Sequence, residues 1–228
     1  MAWCRKYEHK TAAQWPQSLQ AVGDFRYFTY YQPSLKNKHV TKYAKKTYMR
    51  KGEKSKPAFL KPRTKPFSRK EYRRVSMVKV FGITTSMGSV HIFKVPYKFE
   101  GKDWVRLVRR RLGPILRDAF PQRKRITVLL DGEKLMHTRE GKAELKAFGC
   151  RALPGWPATS PDLNPQENVW AWAEDELRRK ERASDTLDTF TRRVLDVTKR
   201  YPSGRKLIPS MAKRVAKCIQ KRGAPIGT

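Results

Sequence analysis

The run Ile126-Thr127-Val128-Leu129-Leu130-Asp131 places an acid directly after five apolar or β-branched residues. Thirty-five residues, 132–166, separate that acid from Glu167, which stands in Ser160-Pro161-Asp162-Leu163-Asn164-Pro165-Gln166-Glu167-Asn168-Val169-Trp170 at the opening of a Trp-rich helix. A carboxylate at a strand end and another at a helix start suit metal-dependent phosphoryl transfer. Attack on a phosphodiester by water or a 3′-hydroxyl uses two hard cations about 4 Å apart, one at the nucleophile and one at the leaving oxygen. Mg2+ takes oxygen ligands and keeps several waters, so carboxylates suffice and neither His nor Cys is required. Singly, each acid has an ordinary role. Asp131-Gly132 can end a strand in a turn, Glu167 can complement a helix dipole, and Asp162 can be a turn residue. The chemistry depends on acids converging.

The remainder of the chain says what phosphate is handled. Fifty-two Lys and Arg against twenty Asp and Glu give a formal charge of +32 over 228 residues. Such an excess goes beyond solubility and implies a polyanionic partner, a nucleic acid. Cys4, Cys150 and Cys218 are odd in number, far apart and without Cys-x-x-Cys pairing, so they read as reduced thiols and not as a disulfide framework or zinc site. No apolar run reaches membrane-spanning length and the N-terminus has no signal-peptide pattern, so an intracellular protein without a membrane partner is expected.

Several elements must position the acids. Alternation of aromatic and β-branched residues predicts strands at 19–31, 75–85 and 90–95, the last two joined by a hairpin turn at Ser86-Met87-Gly88-Ser89. Helical spacing of Trp104, Leu107, Val108, Leu112, Ile115, Leu116 and Phe120 predicts a helix over 102–120. A strand at 126–130, a short helix at 142–148, a strand at 151–153 and helices at 165–180, 186–200 and 207–221 complete the order. Between 33 and 74 lie sixteen Lys and Arg against Glu53 and Glu71, with Pro57, Pro62 and Pro66 interrupting any regular element. This basic extended insertion is expected to lie on nucleic acid through Lys36, Lys38, Lys42, Lys45, Lys46, Arg50, Lys51, Lys61, Arg63, Lys65, Arg69, Lys70, Arg73 and Arg74. Three strands, helix, strand, helix, strand, helix is the order of an α/β fold of RNase H-like type: a mixed sheet flanked by helices, here with the basic insertion after the first strand and a basic C-terminal helix. The expected organisation is a lead at 1–18, an RNase H-like catalytic-type unit at 19–181, and basic helices with a tail at 182–228.

The motif from Ser160 to Trp170, preceded by Trp156-Pro157, resembles the third-acid motif of the mariner-like superfamily of DDE transposases. Leu129-Leu130-Asp131-Gly132, with His137 a few residues on, is similar to the second-acid motif, and Asp24 stands where the family has its first acid. The resemblance implies a triad of Asp24, Asp131 and Glu167 that holds Mg2+ or Mn2+, with Asp24 bridging both ions and the other two holding one each. It further implies DNA as partner, pairing into a dimer, nuclear residence and endonuclease and strand-transfer chemistry. The family carries Glu directly after its first acid, where this chain has Phe25-Arg26, and commonly Asp-Asn at the second, where this chain has Asp131-Gly132. It also carries a helix-turn-helix region before the first acid; only 23 residues precede Asp24, so end recognition is not expected of this sequence.

Two function classes compete on this footing. One is a DDE nuclease and strand-transferase. The other is a domesticated, catalytically silent fold serving as an RNA- or DNA-binding subunit of a large ribonucleoprotein such as a ribosome, in an organelle or ribosomal particle, which the charge and the long basic insertion also suit. A DNA-compaction protein would share the charge but leaves the motif around Glu167 without explanation.

Overall fold

A computed structural model of the chain describes residues 1–31, 75–130, 134–157, 160–179 and 186–226. Two short helices, α1 (Ala2–Tyr7) and α2 (Trp15–Ser18), precede strand β1 (Ala21–Tyr31). Strands β2 (Val75–Thr85) and β3 (Val90–Lys94) follow, then a helical rod, α3, made of Gly101–Leu107, a π-helical segment Val108–Leu112, and Gly113–Ala119. Next come β4 (Ile126–Leu130), a 3-10 turn Lys134–His137, α4 (Arg139–Ala147), β5 (Cys150–Ala152), α5 (Gln166–Arg179), α6 (Leu187–Lys199), α7 (Gly204–Leu207) and α8 (Met211–Gln220).

The described strands form one five-stranded sheet in the order β3-β2-β1-β4-β5. β1 runs antiparallel to β2, β2 antiparallel to β3, and β1-β4 and β4-β5 are parallel pairs. This is the mixed sheet expected of an RNase H-like fold. Every residue of Ile126–Leu130 is buried, as a central parallel strand covered on both faces requires. Period-two alternation splits the core into two layers. Val22, Phe28, Val80 and Leu129 face α1, α2, α5, α6 and α8, whereas Phe25, Phe81, Val128 and Leu130 face α3 and α4.

Local chemistry sets the boundaries. Gly88, at φ +95°, makes the β2–β3 turn, which the Thr85 N–H closes on Ser89 O at 2.9 Å. Thr138 caps α4, its Oγ1 accepting from Gly141 N at 3.1 Å, so that helix starts three residues before the expected 142. The helix expected over 207–221 begins only at Met211, after the short α7, because Pro209 between them has no N–H to continue a helix. Strand β5 sits one residue earlier than 151–153, and Leu153 N still donates to Val128 O at 2.8 Å. The expected lead at 1–18 is helical and enters the core: Trp3, Cys4 and Trp15 are buried. The chain leaves β1 at Tyr31 and re-enters β2 at its ladder partner Val75; the basic insertion and its fourteen named Lys and Arg residues lie outside the described residues.

Candidate active site

Asp24 stands inside the sheet on β1, paired with Gly82 of β2, and only 6 % of it is exposed. Its neighbour Gly23 pairs with Leu130, the last residue of β4. Asp131 itself lies outside the described residues. The Asp24 carboxylate is oriented at both oxygens: Phe25 N donates to Oδ1 at 2.7 Å and Asn164 Nδ2 donates to Oδ2 at 3.2 Å.

Asn164 joins the two mapped acids. While its amide nitrogen holds Asp24, its Oδ1 accepts from Gln166 N at 3.1 Å, capping the helix that carries Glu167. Asn164 therefore both caps α5 and donates to the first acid. Gln166 Oε1 accepts from Thr84 Oγ1 at 2.9 Å in a buried bond that ties the first residue of α5 to β2. One turn after Glu167, Trp170 is fully buried and its ring edge fills the notch above Gly82. A Cβ at Gly82 would lie 2.9 Å from Trp170 Cζ2 and 2.8 Å from Ile92 Cδ1, so only glycine admits the indole there. Trp172, the next tryptophan of α5, is half-buried and packs edge-on against Tyr201 at 5.7 Å. It points to the α6–α7 connection because two residues of helix rotate a side chain away from the sheet-facing stripe.

Arg26, two residues along β1 and on the same face as Asp24, reaches α5. Its Nε donates to Glu174 Oε1 at 2.9 Å, its second terminal nitrogen also binds that oxygen, and NH1 lies 3.5 Å from Glu167 Oε2. The Arg26 and Glu167 side chains are 32 % and 21 % exposed, and the contact is long, so it is a surface-type ion pair of about 0–1 kcal/mol that an incoming cation can displace. Glu174 is one heptad beyond Glu167 on the same helical stripe, a spacing that marks it as a neighbour of the site.

A third layer supports the turn from below. Arg214 of α8 is buried; one terminal nitrogen donates to Asp162 O and the other to Asn168 Oδ1 at 2.7 Å. Burial lowers its pKa below the ordinary guanidinium value, and the negative charges of Asp162 and Glu167 oppose that shift. Asp162 is the turn residue expected: its Oδ1 accepts from Leu163 N at 3.1 Å and its Oδ2 from Ile226 N at 2.9 Å. Arg214 carries no local sequence signal, since 52 residues separate it from Asp162. Among the described residues no cluster of three or more His, Cys, Asp or Glu has metal-holding geometry.

A mixed five-stranded sheet with an acid on its central antiparallel–parallel junction strand and another on the first turn of the helix packed over it is the arrangement of an RNase H-like fold. The sequence profile of the DDE superfamily endonuclease family matches residues 36–191, well over half of the chain, and the chain belongs to that family. The match includes Asp131 and Glu167 and begins after Asp24. The transposable element Tc3 transposase of Caenorhabditis elegans is 27 % identical over 162 residues, covering 70 % of this chain and 48 % of the relative. The Mos1 transposase paired-end complex with left transposon end superposes with a TM-score of 0.65 at 17 % identity, over 99 % of this chain and 60 % of that one. The Mos1 mariner paired end complex with Mn gives 0.61 at 17 % identity, over 97 % and 60 %. At these identities the structural likeness is one of fold. The chain spans about half the length of the curated relative it matches.

Proposed function

We propose that this chain is the catalytic core of a DDE transposase that cuts and joins DNA phosphodiesters, with Asp24, Asp131 and Glu167 holding two divalent cations, Mg2+ or Mn2+. The observation that carries the reading is the Asn164 bridge, which binds the first acid and caps the helix of the third in one side chain. Asp24, a buried carboxylate oriented at both oxygens, and Glu167 on the helix that Asn164 caps offer oxygen donors only, which fit hard cations. When bound, the ions activate the attacking water or 3′-hydroxyl and stabilise the leaving oxygen.

The protein's part is preorganisation. Asn164 and the Phe25 amide fix the Asp24 oxygens before any ligand arrives. Gln166 and Trp170 hold the first turn of α5 to β2, which limits where Glu167 can point. Arg26, beside Glu167 and Glu174, would have a guanidinium to offer a phosphate if a cation held Glu167 in its place. Transposon DNA as the partner is supported by the Tc3 and Mos1 relatives and by the +32 charge.

One observation favours a second reading, a silent fold retained for binding nucleic acid: a cation, Arg26, already lies against Glu167. Incubation with supercoiled plasmid and Mg2+ or Mn2+ separates the two. Metal-dependent nicking that falls to background in Asp24→Asn, Asp131→Asn and Glu167→Gln, with DNA binding retained, supports the nuclease. Absence of nicking in the wild type, with tight salt-sensitive RNA binding indifferent to the three substitutions, overturns it in favour of the binding subunit.

A further inference from the structure

Beside the edge strand β5, where β4 begins, lies an open cleft of about 430 Å3. Lys10 from the α1–α2 connection, Arg123 and Arg125 from the approach to β4, and Arg151 on β5 all line it, and no Asp or Glu does among the described residues. Three of these cations are held by neutral acceptors. Lys10 Nζ donates to Ser18 Oγ at 2.7 Å, Arg123 NH1 to Gln17 O at 3.0 Å, and Arg151 Nε to Thr127 Oγ1 at 3.2 Å. Among the described residues none of the four is ion-paired, whereas Arg106, Arg109, Arg178 and Arg179 each have a carboxylate.

The floor of the cleft is built. Gln20 is 1 % exposed and fully engaged: its Oε1 accepts from Thr127 N at 2.8 Å, and its Nε2 donates to Pro16 O at 3.1 Å and Gln17 O at 2.9 Å. It fastens α2 to β4 and so fixes the spacing between the walls. Four positive charges, three of them oriented by neutral groups, repel one another, and a concave surface focuses their field on whatever enters. Such a cleft is matched by an oxyanion with several acceptor oxygens, which guanidinium forks bind well.

We propose that this cleft is a second phosphate-binding site, which grips the backbone of duplex DNA away from the acids. It rests on the nucleic-acid part of the proposed function and is independent of the catalytic part. Thr127 precedes Leu130 by three residues of β4, roughly 10 Å of strand, or about three base pairs of B-form rise. The cleft therefore holds DNA that flanks the reacting phosphate and sets its register on the sheet.

The test uses the full chain and a fluorescent duplex of several helical turns. Arg123→Gln, Arg125→Gln and Arg151→Gln together should make the slope of log affinity against log salt shallower by about 2–3, since each lost phosphate contact removes about 0.9. The matched triple substitution of Arg106, Arg178 and Arg179 by Gln should change it by less than about 1. Equal changes in the two variants, or none in the first, overturn the proposal. Phenylglyoxal labelling of the wild-type protein, read by mass spectrometry, gives a second measure that needs no variant to fold. Protection of Arg123, Arg125 and Arg151 by the duplex supports the site; protection by inorganic phosphate alone, and not by the duplex, assigns the cleft to a small anion and overturns it. Plasmid nicking plays no part in either measurement, so the catalytic reading can fail while this one stands.

Discussion

Asn164 has two separable duties, and its buried position makes the separation measurable. As a cap it satisfies Gln166 N; as a donor it holds Asp24 Oδ2. Ser supplies a cap oxygen but is too short to reach Asp24, whereas Ala supplies neither. Asn164→Ala should therefore lose about 1 kcal/mol in urea unfolding, and Asn164→Ser a few tenths. Both should weaken Mn2+ binding about 10–100-fold, the usual effect of removing a group that orients a metal ligand. A Ser variant that binds Mn2+ as tightly as the wild type would falsify the link from Asn164 through Asp24 to the metal. Arg26 shows the opposite economy. Its long contact to Glu167 contributes little to stability, and a weak hold is what lets a carboxylate change partners.

Beside the Gln166–Thr84 bond, the helix carrying Glu167 is keyed to β2 by Trp170 in the notch that Gly82 leaves. Gly82→Ala should push Trp170 and Ile92 out of place and cost about 1–3 kcal/mol, as overpacking a filled core does. It should also reduce metal-dependent nicking more than DNA binding, because the displaced element carries Glu167 and not the basic cleft. An alanine variant with wild-type melting would mean that α5 rides clear of the sheet. The elements themselves were largely legible from the sequence. β4 announced itself by five consecutive apolar or β-branched residues, and α5 by the Trp-rich run that the Glu167 motif opens. What was not legible is cross-chain: Asn164 to Asp24 spans 140 residues, and no local pattern encodes it. The glycine at 82 reads in sequence as a weak point of a strand, and its meaning comes only from the indole that occupies it.

Both ends of the chain close over the turn that precedes α5. Ile226 N binds Asp162, Arg214 binds Asp162 O and Asn168, and Cys4 on α1 and Cys218 on α8 are buried in the same core layer. The segment 1–18 carries no periodicity that would signal docking, yet Trp3 packs edge-on against Trp156 with ring centroids 4.9 Å apart. This terminal layer should open as a unit. Burial pushes the Cys4 thiol up to about 12 and the Cys150 thiol, in the opposite core layer, up to about 11, so both stay protonated and unreactive at pH 8. A thiol whose pKa is higher folded than unfolded binds its proton more tightly in the native state. Stability should accordingly fall as pH climbs from about 9, where the unfolded thiols ionise, toward the folded values. Arg214→Met removes two hydrogen bonds from a charged donor, a loss of about 1.5–3 kcal/mol each at most. If the termini form their own cooperative unit, iodoacetamide at pH 8 should label Cys4 and Cys218 in that variant well before Cys150. Labelling of all three at one common rate would mean that the layer opens only when the whole sheet does, and the support it gives to the Glu167 turn would then be inseparable from the fold.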